Sequence, residues 1–183
     1  MSEPSTIGSL EHAISKAKGG PSTWNPPFCG DLDMRIGSDG TWYYLGSPIG
    51  RKPLVKLFSS ILRREDRGFV LVTPVEKVGI VVDDAPFVAV EMHVEPGPRL
   101  TFRTHVEDII VAGAANPLRF VLQPDGSRRP YILVRSGLEA LIARSVFYDL
   151  VALGEDRDGQ FGVMSDGVFF PIQPTQELEL ERS

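Results

Sequence analysis

Two aspartates, Asp31 and Asp33, stand two residues apart in a run of alternating polar and apolar side chains. On a strand they share one face, and with Asp84 of the pair Asp83-Asp84 they make the carboxylate set a metal-dependent phosphate-ester hydrolase needs, since Mg²⁺ takes carboxylate, water and phosphate oxygens. The plainer reading has Asp31 at a strand entry after Gly30, Asp83 and Asp84 in a turn, and all three charges solvated. Arginines offer a second chemistry. Arg51 and Arg135 stand at or just before the starts of two expected helices, and Arg35, Arg103, Arg119 and Arg144 lie inside apolar runs. A guanidinium in such company needs an anionic partner, either an internal carboxylate or the phosphate of a ligand. Backbone N–H groups at a helix start already favour anions. Trp24, Trp42, Tyr43, Tyr44 and Tyr148 can stack on a base or fill a core. The ligand-binding set that follows is Trp24, Asp33, Arg35, Trp42, Arg51 and Arg135, with arginines neutralising phosphate and aromatics stacking.

Common enzyme signatures are absent: the chain has no Walker A motif, no Rossmann glycine fingerprint, no nucleophile elbow and no zincin motif. Its three histidines are scattered, and its single cysteine, Cys29, rules out a zinc knuckle. The reading therefore favours a binding protein over an enzyme, with no cofactor assigned. Of 183 residues, 42% are hydrophobic and 23% charged, enough for a packed core. The net charge of −5 argues against non-specific binding to nucleic acid or an anionic membrane. No window approaches the ~18 apolar residues of a membrane span. A cytoplasmic protein is expected, and a lone thiol fits a reducing compartment.

The elements that must position these residues follow from periodicity. Ile7 to Lys18 reads as a helix ended by Gly19-Gly20, and Pro21 to Phe28, with three prolines, as an extended strap. A strand Leu32 to Ile36, an Asp39-Gly40 hairpin and a strand Trp42 to Leu45 come next. From Pro53, the residues Leu54, Leu57, Phe58, Ile61 and Leu62 mark one helix face, broken at Gly68. Strands are expected at Phe69 to Val72, Val78 to Val82, Phe87 to Val94, Arg99 to His105 and Ile109 to Ala112. After Leu118 to Leu122, an Asp125-Gly126 hairpin and Tyr131 to Val134, a second helix face carries Leu138, Leu141, Ile142, Val146 and Leu150. A hairpin at Ser165-Asp166-Gly167 follows, and the acidic tail from Gln176 is expected to fray.

This order is a repeat. Each half runs strand, Asp-Gly turn, strand, arginine and amphipathic stretch, and each stretch stops at Glu65-Asp66-Arg67 or Glu155-Asp156-Arg157. The expected fold class is α+β, with two structurally related, duplicated small domains, each an antiparallel sheet plus a helix. Glu95-Pro96-Gly97-Pro98 reads as the linker. The divisions are a helical extension over 1–20, a first repeat domain over 21–97 and a second over 98–183.

The segment Cys29 to Ile36, continuing through Asp39-Gly40-Thr41-Trp42-Tyr43-Tyr44, resembles the bacterial domain-of-unknown-function family 1285. Arg51, Leu57-Phe58-Ser59, Val72 to Lys77, Asp84 to Phe87, the stretch Arg135 to Leu141 and the stretch Val146 to Leu150 extend the resemblance over about Trp24 to Pro171. The resemblance implies two related α+β domains, the second superficially like a pleckstrin-homology fold, with a nucleotide-type ligand at their interface and a signalling role. It carries over no catalytic residue. The expectation is a ligand-binding or sensory protein with a small anionic, nucleotide-like molecule in the inter-domain groove. A metal-dependent hydrolase using Asp31, Asp33 and Asp84 and a protein-interaction module are the alternatives.

Overall fold

Alternation along β1 (Phe28–Ile36) sets the first sheet: Leu32, Met34 and Ile36 are buried while Asp31, Asp33 and Arg35 are exposed. The computed structural model describes residues 5–182, and the chain divides into two compact units, Met1–Pro86 and Phe87–Ser183. In the first unit α1 (Ile7–Ser15) starts at a capping box, Thr6 and Ser9 each accepting the other's backbone N–H. β1 turns through Asp39-Gly40 into β2 (Trp42–Tyr44), Gly40 taking φ 85° and Asp39 accepting from the Thr41 N–H. β3 (Ser47–Pro48), α2 (Lys52–Ser60), β4 (Leu62–Glu65), β5 (Gly68–Val72) and β6 (Lys77–Val82) complete the sheet, whose order is β3-β2-β1-β6-β5-β4. α2 buries Leu54 and Phe58, and the Phe58 ring lies 6.3 Å from that of Trp42.

The second unit begins with β7 (Phe87–Glu95), β8 (Arg99–Thr104) and β9 (Ile109–Val111), followed by β10 (Leu118–Leu122), β11 (Arg128–Arg135) and β12 (Leu138–Ile142). These six strands form one sheet in the order β10-β11-β12-β7-β8-β9. α3 (Arg144–Ala152) then leads to a separate three-stranded sheet of β13 (Glu155–Arg157), β14 (Gln160–Ser165) and β15 (Val168–Pro174), and α4 (Thr175–Glu181) ends the described chain.

The duplication is present and its topology is explicit. Each six-stranded sheet consists of two three-stranded meanders, and the first strand of the first meander pairs parallel with the last strand of the second, β1 with β6 and β12 with β7. The sheets are therefore antiparallel except at one central parallel pair, which a chain can make only after a long crossover. The order three strands, helix, three strands also recurs across residues 28–82 and 118–174, as the sequence indicates. In the second run the last trio forms its own sheet instead of returning to the first.

Four local expectations change. The first amphipathic helix stops at Ser60, because Leu62 and Arg63 pair with Leu71 and Val70; Glu65-Asp66-Arg67 is a strand end and hairpin turn rather than a helix end. The segment Leu138 to Ile142 is a strand, although its residues are good helix formers. Ser136 (φ 44°) and Gly137 (φ 76°) turn the chain back, and Leu138, Ala140 and Ile142 alternate inward. Glu95-Pro96-Gly97-Pro98 is the β7–β8 turn, with Glu95 opposite Arg99, and the two units divide between Pro86 and Phe87. Residues Gln176 to Glu181, expected to fray, belong to α4.

Candidate functional site

The six residues singled out by sequence take different stations. Asp33 and Arg35 lie on the exposed face of β1, where Arg35 Nε is 3.4 Å from Asp83 Oδ2 and its guanidinium sits 5.3 Å from the Tyr43 ring centre. Trp42 is buried in the core against Phe58 and is withdrawn from any groove. Trp24 is half-buried in the strap; its indole N–H donates to the Lys18 carbonyl, and its own carbonyl accepts from Arg63 Nη1. Arg51 caps α2 through its carbonyl, which accepts from Leu54 and Val55, but its side chain is 71% exposed and 3.9 Å from Glu11. In the second unit Arg135 is 3.8 Å from Asp108 and lies 5.2 Å from the centre of the Phe87 ring. It ends a strand and does not start a helix, since Leu138 to Ile142 is β12.

Arginines in apolar runs lie largely on open sheet faces and have internal partners. Arg103 Nε is 2.7 Å from Glu91, Arg144 Nε donates to Tyr148 Oη at 2.9 Å, and Arg119 grips Glu139 side-on, Nε and Nη2 each 3.0 Å from one oxygen. Among the described residues seven guanidinium groups lie over aromatic rings, well above one per ~70–80 residues. These arginines are absorbed by the domains themselves. Carboxylates do not gather either: Asp31 rests against Gly79, where a Cβ would overlap its Oδ1, and no group of three or more His, Cys, Asp or Glu among the described residues is placed to hold a metal ion. The set Asp31, Asp33 and Asp84 is therefore not a metal centre.

The second unit contains a cavity of ≈ 460 Å³ that five elements build together. Arg128 enters from the start of β11, Phe147 and Tyr148 from α3, Phe161 from β14, Gln173 from β15 and Leu178 from α4. Gly154 lets the Phe161 ring approach the end of α3, since a Cβ there would overlap the ring, and Phe147 in turn packs at 6.1 Å on Phe120 of β10. Arg128 keeps only 14% of its side chain exposed; Nη2 is 2.8 Å from Glu177 of α4, while Nε is buried without a hydrogen-bond partner among the described residues. Gln173 Nε2, also on the cavity lining, and Thr175 Oγ1 are likewise buried without partners among the described residues. Such groups cost ~1–3 kcal/mol each when left unsatisfied, so two of them on one cavity lining, Arg128 Nε and Gln173 Nε2, mark a place built for something more than packing. Across the turn, hydrogen bonds from the Ser127 hydroxyl and then its N–H hold the Asp125 carboxyl below its ordinary range, so it stays an anion.

A family model described as "Domain of unknown function (DUF1285), N-terminal domain" matches residues 21–85, and one described as "Protein of unknown function (DUF1285), C-terminal domain" matches residues 86–172. The chain belongs to the DUF1285 family. The crystal structure of a DUF1285 family protein from Silicibacter pomeroyi DSS-3 superposes with a TM-score of 0.86 at 55% identity, covering 93% of this chain and 97% of that one. A second DUF1285 crystal structure, from Shewanella baltica OS155, gives a TM-score of 0.54 at 29% identity over 66% of this chain and 91% of that one. No curated protein matches the chain.

Within the DUF1285 C-terminal domain, Arg128, Phe147 and Phe161 fall inside the matched region, whereas Gln173 and α4 lie beyond it. Of the cavity's residues the sequence reading singled out only Tyr148 for ligand chemistry; Asp125 and Gly126 it read as a hairpin turn. The signals for the others are slight: an arginine two residues after an Asp-Gly turn, and a tail whose Leu178 and Glu181 share one helical face. A second depression, ≈ 470 Å³, in the DUF1285 N-terminal domain is lined by Phe28, Glu65, Asp66, Arg67 and Lys77. Within it Lys77 lies 3.1 Å from Glu65, and the Arg67 guanidinium stacks on Phe28 at 3.7 Å. No helix among the described residues is long and apolar enough to cross a membrane.

Proposed function

We propose that this DUF1285 protein is a small-molecule-binding protein without catalysis, and that its ligand is a small anion with an apolar body held in the C-terminal-domain cavity. The observation that carries this reading is Arg128, a largely buried guanidinium with an unused Nε, beside an aromatic wall of Phe147, Tyr148 and Phe161. A cavity of a few hundred Å³, mostly apolar with few polar groups, is the usual form of a small-ligand site. The reading keeps the anionic ligand expected from the sequence but moves it from the inter-domain groove into one domain, with Arg128 taking the part first given to Arg35, Arg51 and Arg135. In this account the protein acts as a cytoplasmic sensor whose ligand-bound state passes a signal on.

A thermal-shift screen of the purified chain against nucleotides, sugar phosphates, aryl and acyl carboxylates and divalent metals tests the reading. A ligand at ~100 times its Kd stabilises by ~2.7 kcal/mol, which moves Tm by roughly 5–11 °C for a chain this size. A shift of that size with an anion, lost in Arg128→Met, is expected. A flat panel, or a shift that Arg128→Met leaves intact, removes the reading.

A further inference from the structure

Two arginines of the C-terminal domain show the same side-on edge in two states of use. Arg119 places Nε and Nη2 on the two oxygens of Glu139, both at 3.0 Å. Arg128 places Nη2 on Glu177 at 2.8 Å, and its Nε has no partner among the described residues. A guanidinium fork is shaped for both oxygens of one carboxylate, and the paired arrangement is stronger and more selective than a single contact. Arg128 therefore holds a carboxylate in a poor position and has capacity for a better one.

The carboxylate now on it is easily removed. Glu177 keeps 51% of its side chain exposed, and α4 buries none of its residues and has no side-chain cap at its N-terminus. Releasing Glu177 to water costs the protein little once another carboxylate takes its place on Arg128, because the Glu177 side chain is itself half exposed. The cavity lining holds a further donor, Gln173 Nε2, with no partner among the described residues.

Charge selects among anions. Arg128 is the one cation lining the cavity among the described residues, and Asp125 and Glu181 line it too. A dianionic phosphate would meet one positive charge and two negative ones, whereas a monoanion is balanced by Arg128 and less repelled by the acids. The remaining wall, with Phe147, Tyr148, Phe161 and Leu178, suits a flat ring or a short acyl chain.

Resting on the binding function proposed above, we infer that the ligand is an apolar monocarboxylate, an aryl or short acyl acid, whose carboxylate displaces Glu177 and takes both Nε and Nη2 of Arg128. No bond is made or broken; one carboxylate replaces another on the same fork.

Calorimetric titration of the full chain with 2-naphthoate, decanoate, neutral 2-naphthamide and adenosine monophosphate tests this. At least one of the two acids is expected to bind, with naphthamide about 10- to 100-fold weaker than naphthoate, the scale of a lost charged hydrogen bond. Arg128→Met is expected to lose as much while keeping its circular dichroism spectrum. Glu177→Gln, an exposed change that leaves the fold intact, is expected to tighten the acid several-fold by weakening the internal competitor. Equal binding of naphthoate and naphthamide, or unchanged or weaker acid binding by Glu177→Gln, overturns the inference. Binding of adenosine monophosphate but neither acid overturns the monocarboxylate class and leaves the anion-binding function standing. Silence from all four probes overturns the monocarboxylate class, and a flat thermal-shift panel beside it removes the binding function as well.

Discussion

Replacing Glu65 by alanine should unfasten the strap of the N-terminal domain at a measurable cost. Glu65 accepts from Arg63 and from Lys77, the latter at 3.1 Å, and Arg63 also donates to the carbonyls of Pro21 at 3.1 Å and Trp24 at 2.8 Å. Arg63, Glu65 and Lys77 keep 22%, 23% and 13% of their side chains exposed. Breaking a fully buried pair costs ~3–5 kcal/mol and losing an exposed one ~0.2–1 kcal/mol. With two cations left behind and a fifth of the surface still wet, ~2 kcal/mol is the expected loss for Glu65→Ala. Urea unfolding followed by circular dichroism measures it. Acid supplies an internal check. Burial pushes the Glu65 carboxyl up, but hydrogen bonds from Arg63 and Lys77 and their charges outweigh burial and hold it below its ordinary value. Its folded pKa is thus below its unfolded pKa of ~4.3, so its stabilisation is complete above that value and is lost as pH falls through the folded pKa. The gap between wild type and Glu65→Ala should be full at pH 7 and close on acidification. A gap under ~0.5 kcal/mol at neutral pH, the range of surface substitutions, or one that stays constant to pH ~2.5, refutes the account of this cluster.

Trp42 is buried with an indole N–H that has no partner among the described residues, so Trp42→Phe removes an unsatisfied donor along with some volume. It should cost clearly less than Phe58→Ala, for which ~3–5 kcal/mol is expected from core truncation, as equilibrium unfolding will show. Gly79→Ala should destabilise the N-terminal domain because the new Cβ overlaps the Asp31 carboxylate, and adding Asp31→Gly should restore most of the lost stability. A double mutant no better than Gly79→Ala alone would show that the close approach is not the cause.

What the sequence made legible was local. The Asp39-Gly40, Asp125-Gly126 and Asp166-Gly167 hairpins, the α2 face and the inward alternation of Leu32, Met34 and Ile36 each follow from a few neighbouring residues. Leu138 to Ile142 was not legible, because leucine, glutamate and alanine favour helix while a parallel partner at Phe87 to Ala89, remote in sequence, makes them strand. A Pro-Gly-Pro linker and a Pro-Gly-Pro hairpin turn use the same residues, so the boundary at Pro86 could not be told from Glu95 to Pro98 alone. Arginines misled for a related reason: sequence shows that Arg35 and Arg119 interrupt apolar runs, but not that the interrupting face is open and carries Asp83 and Glu139. The C-terminal cavity has only a slight local signature. Its Arg128 and Glu177 meet across 49 residues, and the unused Nε is a property of three-dimensional packing.

The central claim is that the ligand site lies in the C-terminal domain around Arg128. Mapping amide chemical shifts of the isotope-labelled full chain during titration with 2-naphthoate locates it without a variant. The account predicts saturable changes centred on Ser127, Arg128, Phe161, Gln173 and the residues of α4. Changes centred on Arg35 and Arg51, or none while the ligand is shown to bind, would contradict it.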